Sequence, residues 1–250
     1  RYIPILHGGK LPERIKQSPK SSGILFSNSY RNVAVSGYLK NEFEIAGFET
    51  VLIPNNICIS DYQFKKRDNP KPKILWVRSF SAHYNPNMAA DVLIEILESF
   101  PEAELCMVGP GVDHSLLDFR KHLTTKGISQ KVRLTGKMSK TDWAKLSEEY
   151  DFFINTTNID NTPISVIEAL SLGLLVISTN PGGIPYLLTD NKNACLVSCG
   201  DSKKMAEHIK KLIKEKERYQ VIVKNGRELA ESFDWERIKP LWLELLKEPL

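Results

Sequence analysis

Short apolar runs alternate with amphipathic stretches between residues 73 and 200, and this alternation is typical of a doubly wound parallel sheet. The runs have the length of strands buried on both faces, and the stretches between them space their apolar residues as helices do. The pattern predicts strands at Lys73–Val77, Glu104–Val108, 132–134, Phe152–Asn155, 174–178 and 194–197. It predicts helices at 88–100, 115–124, 140–150 (with Ser139 as N-cap), 202–218, 220–232 and Trp235–Lys247. The predicted fold class is therefore α/β.

A smaller pattern of the same kind occupies the first 56 residues. A strand at 2–6 ends in His7, Gly8 and Gly9, and a polar segment rich in Lys and Ser follows at 10–23. Strands at 33–36 and 50–53 flank a helix through 41–46. Residues 54–56 and the stretch 64–72, rich in Lys, Arg and Pro, have the composition of a linker. We therefore expect two α/β pieces joined by a hinge.

Residues 160–185 hold the most informative pattern of the chain, an acidic loop followed by a helix, a buried strand and a glycine turn. Thr162 is predicted to cap the helix, with Pro163 at the first helical position, where its missing N–H costs nothing. Gly173 is predicted to end the helix. The free N–H groups and the positive end of such a helix make an anion site. Two carboxylates, Asp160 and Glu168, flank that site.

This segment also resembles a known family. An acidic residue, seven others, Glu-Ala and then a glycine-led apolar strand is similar to the E-x7-E region of retaining nucleotide-sugar glycosyltransferases of family 4. The later Ser-Thr-Asn-Pro-Gly-Gly-Ile-Pro, which contains Gly182 and Gly183, resembles the glycine turn that follows it in that family. The chain departs from the family at two points: the first acid is Asp160 rather than Glu, and Tyr186 stands where a final Glu is common.

The resemblance implies the GT-B architecture, in which a nucleotide binds between two Rossmann-like domains. Residues 1–56 would be the C-terminal part of the acceptor domain, whose earlier part is absent from this sequence. Residues 57–250 would form the donor domain with its C-terminal helices. The implied reaction retains the configuration at the anomeric carbon and uses no metal, and the sequence holds no D-x-D motif.

The resemblance also assigns roles to individual residues. Arg78, which follows a predicted strand, would contact the donor diphosphate, because such sheets bind ligands at the carboxyl ends of their strands. His83 stands where the family has a second cation, and His83 or Asn85 would supply a hydrogen bond to phosphate. Glu168 would accept hydrogen bonds from both ribose hydroxyls, and Asp160 would touch hydroxyls of the donor sugar.

Further residues complete the predicted site. His7 would face the donor sugar from the acceptor domain, and Gly8 and Gly9 would let backbone approach it. Ile164 and Ser165 would offer N–H groups to phosphate, with the Ser165 hydroxyl as an addition. Gly182 and Gly183 are expected to shape the turn and its packing, with backbone contact to substrate as the alternative. Gly111 would lie at a strand end that lines the nucleotide pocket, and turn geometry explains a glycine there equally well. The predicted nucleotide-binding set is Arg78, His83, Gly109, Gly136, Lys137, Met138, Thr162, Pro163, Ile164, Ser165 and Glu168, and the predicted catalytic set is Asp160, Glu168, Arg78 and His7.

Composition narrows the remaining possibilities. The chain has 250 residues, 42% hydrophobic content and a net charge of +4, which is too mild to indicate a nucleic-acid partner. Its four cysteines form no CxxC pair, so they are expected to be reduced thiols in a cytoplasmic protein. No apolar run approaches the roughly 18 residues of a membrane span. The Lys-rich stretch 203–218 is expected to be a solvated face, with contact to the inner face of a membrane as the alternative.

Three functions fit this sequence. The leading hypothesis is a retaining glycosyltransferase that moves a sugar from a UDP- or GDP-type donor to a glycan or lipid-linked acceptor during cell-surface polysaccharide synthesis. It needs no cofactor beyond its substrates. A nucleotide-sugar epimerase of the GT-B fold is the second, since it binds the same donor class. The third is a donor-binding module without transfer activity, because acceptor recognition in GT-B proteins lies mostly in the N-terminal domain.

Overall fold

A computed structural model describes residues 2–247, and it contains two parallel β-sheets. The small sheet has the order β1-β2-β3 and the large sheet the order β6-β5-β4-β7-β8-β9. Every strand pairing in both sheets is parallel, with helices connecting the strands. The α/β fold class is therefore confirmed.

The small lobe, residues 2–52, carries the small sheet. Its strands are β1 (Ile5–Leu6), β2 (Asn32–Ala34) and β3 (Thr50–Leu52), and its helices are α1 (Leu11–Gln17), α2 (Pro19–Ser27) and α3 (Gly37–Ile45). The side chains of Leu6, Ala34, Leu39 and Phe43 form its core with Ile15 and Phe26. Helix α3 begins at Gly37, earlier than predicted, because the Ser36 hydroxyl accepts a hydrogen bond from Leu39 N and caps it.

The large lobe, residues 73–231, carries the large sheet. Its elements alternate as the sequence predicts: β4 (Lys73–Val77), α4 (Pro86–Leu97), β5 (Glu104–Val108), α5 (Ser115–Thr125), β6 (Val132–Gly136), α6 (Lys140–Leu146), β7 (Phe152–Asn155), α7 (Ile164–Ser171), β8 (Leu175–Thr179), α8 (Ile184–Leu187), β9 (Cys195–Val197), α9 (Ser202–Lys214) and α10 (Lys216–Glu231). Two hydrophobic clusters cover the two faces, and the central strands contribute side chains to both. Strands β4, β5 and β7 match their predicted bounds.

Two helix ends in the large lobe follow from their caps. Ser139 accepts a hydrogen bond from Asp142 N at 3.1 Å and starts α6, as predicted. Helix α7 ends in a left-handed residue, because Gly173 has a φ of +76° and its N–H bonds the carbonyl of Leu170 at 3.1 Å. Leu174 N reaches the carbonyl of Ala169 at 3.1 Å, which completes a Schellman motif. The prediction that Gly173 ends this helix is confirmed.

The N-terminal segment is more regular than its composition indicates. The stretch 10–23, for which the pattern predicts no helix or strand, contains α1 and the first part of α2. Pro12 and Pro19 sit in the first turns of these helices, where a missing N–H is tolerated. Ile15 and Phe26 are buried against the small sheet. Tertiary packing, rather than local periodicity, therefore fixes these two helices.

The expectation that 64–72 is a linker is wrong, because this stretch is bound to the large lobe. The buried Arg67 side chain donates hydrogen bonds to the carbonyls of Tyr150 at 2.6 Å, Ser147 at 2.9 Å and Leu172 at 2.9 Å. Lys65 N also bonds the Leu172 carbonyl at 3.3 Å. The stretch therefore belongs to the packed structure.

The last helix, α11 (Trp235–Lys247), returns to the small lobe. Its Ile238 and Leu245 pack with Val33 and Ile53 in one buried cluster. The domain boundary at residue 56 stays a prediction. The contact between α11 and the small lobe is a feature that local sequence patterns did not indicate. Within residues 2–247, none of the helices combines the length and the apolar composition that crossing a bilayer requires.

Candidate donor-binding site

The strand order of the large sheet reverses between β4 and β7, and several predicted site residues lie at the strand ends there. Strands β5 and β6 extend the sheet on one side of β4, whereas β8 and β9 extend it beyond β7. Connections to either side leave a crevice at the carboxyl ends of the two central strands. Arg78 follows β4, and the loop that carries Asp160 follows β7. The topology alone therefore brings these two residues together.

Arg78 and Asp160 form a direct ion pair in this crevice. Arg78 Nη2 lies 2.6 Å from Asp160 Oδ2, and the two side chains are only 12% and 14% exposed. Arg78 Nε also donates to Asn155 Oδ1 at 3.3 Å, and the guanidinium lies 4.8 Å from the centre of the Tyr84 ring. These three contacts hold a largely buried cation at the strand ends. Its planar donors match carboxylate and phosphate oxygens.

The glycine turn packs directly against the acidic loop. Gly182 has a φ of +55°, and a Cβ there would lie 2.4 Å from the Asp160 carbonyl oxygen. A Cβ on Gly183 would lie 2.3 Å from the Asn161 carbonyl oxygen. Only glycine fits so close to another backbone segment. Loop packing is thus what this geometry demands of Gly182 and Gly183, in line with the predicted role.

Helix α7 starts one residue later than predicted. The carbonyl of Pro163 accepts hydrogen bonds from Val166 N at 3.1 Å and Ile167 N at 3.4 Å, so Pro163 is the N-cap rather than the first helical residue. Thr162 is therefore not the cap, and its hydroxyl instead donates to the Val35 carbonyl of the small lobe at 3.4 Å.

The first turn of α7 presents groups suited to an anion. Its leading N–H groups, at Ile164 and Ser165, have no intrahelical acceptor. Ser165 Oγ is the one buried side-chain oxygen or nitrogen within residues 2–247 that has no hydrogen-bond partner. Buried polar atoms are nearly always satisfied, so this orphaned hydroxyl at a helix start is a candidate contact for a polar ligand.

Glu168 lies inside α7 with its side chain almost fully buried. Tyr62 Oη donates to Glu168 Oε1 at 2.6 Å, and Lys140 Nζ lies 2.9 Å from the same oxygen. Lys140 is 69% exposed, so its ion pair contributes about 0–1 kcal/mol, whereas a hydrogen bond to a buried charge contributes about 1.5–3 kcal/mol. Burial, and then the bond to Glu168, raise the pKa of Tyr62, so the phenol stays protonated.

Neither Tyr62 nor Lys140 is among the residues that the sequence predicts for the site. Tyr62 precedes Glu168 by 106 positions and belongs to no motif, so no local signal identifies it. Lys140 follows a helix cap, where an exposed lysine is ordinary. The structure brings both to the predicted ribose carboxylate.

The small lobe reaches the acidic loop through Asn161. Its Nδ2 donates to the His7 carbonyl at 3.4 Å, and the Ser36 hydroxyl donates to its Oδ1. A Cβ on Gly9 would lie 3.3 Å from the Asp160 carbonyl carbon. His7 therefore follows β1 with its backbone against the acidic loop, and the residue is exposed. Asn161 is a contact that sequence reasoning missed.

The remaining predicted residues lie on neighbouring strand-end loops. Asn85 has a φ of +45° and accepts from Met88 N at 3.3 Å, so its side chain caps α4. The His83 carbonyl accepts from Asn158 N at 2.7 Å, while its side chain is exposed. Gly109 passes so close to Arg78 that a Cβ would lie 1.7 Å from the Arg78 carbonyl oxygen. Gly136 ends β6 with a φ of +74°, and the turn through Lys137 and Met138 follows it.

Comparison with known proteins identifies the family. The family model for glycosyl transferases group 1 matches residues 60–229, well over half of the chain. The chain belongs to the glycosyl transferases group 1 family. The matched region contains Arg78, Asp160 and Glu168, whose individual roles remain predictions.

Individual relatives of this family match at low identity. The chain is 28% identical to the Bacillus subtilis spore coat protein SA over 67% of this chain and 46% of that protein. It is 24% identical to the phosphatidyl-myo-inositol mannosyltransferase of Mycobacterium leprae over 81% of this chain and 55% of that protein. The chain thus spans about half the length of these curated relatives.

A solved structure shares the fold of this chain at low sequence identity. The structure of Anabaena Alr3699/HepE in complex with UDP and glucose matches with a TM-score of 0.86 over 99% of this chain and 71% of that one, at 20% identity. The match includes both lobes, so the GT-B type fold is confirmed.

Proposed function

We propose that this chain supplies the donor site of a retaining family-4 glycosyltransferase. The donor is a nucleotide sugar of the UDP or GDP type. The acceptor is a glycan or a lipid-linked glycan, in the synthesis of cell-surface polysaccharide, and the reaction proceeds in the cytoplasm without a metal. HepE binds UDP and glucose, and the Mycobacterium leprae relative is named for a lipid acceptor, which supports this choice of substrates.

The observation that carries the proposal is the set of groups around the start of α7. A cation, Arg78, lies at the strand ends, and the orphaned hydroxyl of Ser165 lies in the first turn of the helix. A buried carboxylate, Glu168, follows one turn later. Positive charge and N–H dipoles suit a diphosphate, and a carboxylate suits vicinal hydroxyls. A nucleoside diphosphate presents these two features in the matching order.

The proposed chemistry follows from this placement. The bond between the anomeric carbon and the β-phosphate oxygen breaks, and its electrons stay on the phosphate, where Arg78 and the α7 start offset the growing charge. The acceptor hydroxyl oxygen bonds the anomeric carbon on the same face, and its proton passes to the leaving phosphate oxygen. Arg78 must exchange or share its Asp160 partner for this role. Asp160 then faces the sugar together with His7.

The lysines of α9 support a solvated face rather than a membrane contact. Lys204 pairs with Glu207 at 2.9 Å, Lys211 with Glu215 at 3.7 Å and Lys210 with Glu98 at 4.0 Å. This internal pairing reduces the positive charge that an anionic lipid surface would attract.

Thermal denaturation with a panel of nucleoside diphosphates tests the proposal. A ligand at one hundred times its Kd adds about 2.7 kcal/mol, which raises the Tm of a chain of this size by about 5–10 °C. The variant Glu168→Gln should lose this rise, because the amide removes the negative charge and leaves one acceptor oxygen for Tyr62, Lys140 and the ribose hydroxyls to share. The matched variant Glu149→Gln, at an exposed ion pair with Arg133, should keep it. An unchanged Tm with UDP, GDP, ADP and CDP would contradict a donor site.

A further inference from the structure

The segment that links the two lobes also contacts the candidate ribose carboxylate. Ile57 N donates to the Phe233 carbonyl at 2.9 Å, and Trp235 N donates to the Ile57 carbonyl at 2.8 Å. Ile59 N bonds Asp234 Oδ1 at 3.0 Å. These hydrogen bonds fix the backbone where the chain enters the large lobe, and they position the segment that carries Tyr62.

Tyr62 is held from both ends. Arg227 Nη1 donates to the Tyr62 carbonyl at 3.0 Å, and the Tyr62 hydroxyl donates to Glu168 Oε1 at 2.6 Å. Tyr62 is 4% exposed, and it packs in the hydrophobic cluster that includes α7. Contacts thus constrain the backbone, the ring and the hydroxyl of Tyr62, so the phenol is a rigidly placed hydrogen-bond donor to the carboxylate of Glu168.

We propose that Tyr62 is a positioning residue for the donor, which orients Glu168 so that Oε2 faces the ribose hydroxyls. Tyr62 and Lys140 both bind Oε1, and Oε2 accepts no hydrogen bond from the part of the chain that the structure describes. The terminal torsion of a glutamate is broad, so a fixed donor on one oxygen sets the plane of the group. The inference rests on the proposed function.

Tyr62 is the stronger of the two partners. Lys140 reaches Glu168 with a long side chain that is mostly in solvent, and water screens that pair. The Tyr62 bond is buried and short. We therefore expect the hydroxyl of Tyr62, rather than the ammonium of Lys140, to set the carboxylate.

Calorimetric titration of Tyr62→Phe tests this role. The probes are UDP and GDP, with their 2′,3′-dideoxy forms as ligands that have no hydroxyl for Glu168 to accept. The ring of phenylalanine fills the same space, so only the hydrogen bond is lost. We expect affinity for the ribonucleotide to fall about tenfold and affinity for the dideoxy form to stay unchanged. The preference for ribose should therefore shrink.

Tyr219→Phe is the matched control, because the Tyr219 hydroxyl donates to the Asp151 carbonyl at 2.8 Å in the same lobe. It should leave both affinities unchanged, and Lys140→Gln should change them less than threefold. The proposal is overturned if Tyr62→Phe binds the ribonucleotide normally, if both nucleotide forms weaken equally, or if Lys140→Gln has the larger effect. If the parent chain binds neither UDP nor GDP, it is the proposed function that fails.

Discussion

Replacing Arg67 with methionine tests whether residues 64–72 are an integral part of the large lobe. The buried guanidinium donates to four backbone carbonyls, those of Tyr150, Ser147, Leu172 and Lys65. Methionine keeps an apolar stem of similar length but removes every donor. A mobile linker would tolerate this change.

The expected loss follows from what each partner retains. Ser147 O still accepts from Tyr150 N at 3.1 Å, and Leu172 O still accepts from Lys65 N at 3.3 Å. The carbonyl of Tyr150 loses a bond of 2.6 Å, and an unsatisfied buried acceptor costs about 1–3 kcal/mol. Asp151 also loses its contact with Arg67 Nε at 3.5 Å.

Asp151 adds to the cost of the substitution. Burial raises the pKa of Asp151, while the Lys71 N–H and the Arg67 charge act in the opposite direction. A carboxyl with a raised pKa favours folding only at low pH, and its contribution is lost as pH rises through that pKa. Replacing Arg67 removes one of the charges that favour the ionised form of this partly buried carboxyl. Together the terms predict a loss of about 3 kcal/mol, or about 6–12 °C in Tm.

Urea unfolding followed by circular dichroism at neutral pH measures this loss. Arg133→Met is the matched control, since Arg133 is 58% exposed and pairs with Glu149 at 3.4 Å. The control should change the free energy of unfolding by less than about 0.5 kcal/mol. Adding Asp151→Asn to the Arg67→Met variant should recover part of the loss. A loss below about 1 kcal/mol in Arg67→Met, or one equal to the control, would show that the Arg67 hydrogen bonds do not anchor residues 64–72.

Two further variants test local features. Gly109→Ala places a methyl group 1.7 Å from a backbone oxygen, so it should lower the free energy of unfolding by about 2–5 kcal/mol in chemical denaturation. Gly127 has a φ of +68° but open space around it, so Gly127→Ala should lower it by about 1–2 kcal/mol. Equal losses in the two variants would contradict the close approach at Gly109. Burial lowers the pKa of His208, helped by Lys204 and Arg218 and opposed by Asp190 and Glu207, so the folded state prefers the neutral ring. Its stabilising contribution is present above the usual pKa of about 6.5 and is lost as pH falls below it, by at most about 1.4 kcal/mol per pH unit. His208→Gln should therefore lose less stability than the parent between pH 7.5 and 5.5 in urea unfolding, and a steeper loss in the variant would contradict the burial argument.

The large lobe was predictable because its central strands are buried on both faces. Runs such as Lys73–Val77 and Phe152–Asn155 are mostly apolar, and the structure keeps their bounds. The helices at 11–27 were not predictable, because prolines and lysines weaken their periodicity and the small sheet supplies the apolar contacts. The return of α11 to the small lobe depends on contacts that are remote in sequence.

The site shows the same division between local and long-range information. Arg78, Asp160 and Glu168 belong to local motifs at strand or helix ends, and the contact between Arg78 and Asp160 follows from the topology. Tyr62 reaches Glu168 from the segment between the two lobes, and Asn161 reaches His7 of the small lobe. No local spacing in the sequence predicts either contact. The one-residue shift at Pro163 lies within the usual uncertainty of helix ends. Local motifs therefore identify candidate ligand-facing residues, whereas the residues that contact and orient them are found only in the folded structure.

A crystal structure of the chain with bound UDP or GDP would locate the donor nucleotide directly. We expect the ribose hydroxyls on Glu168 and the diphosphate at the start of α7, against Arg78 and the hydroxyl of Ser165. A nucleotide bound with its diphosphate remote from α7, or with its ribose away from Glu168, would contradict the donor site.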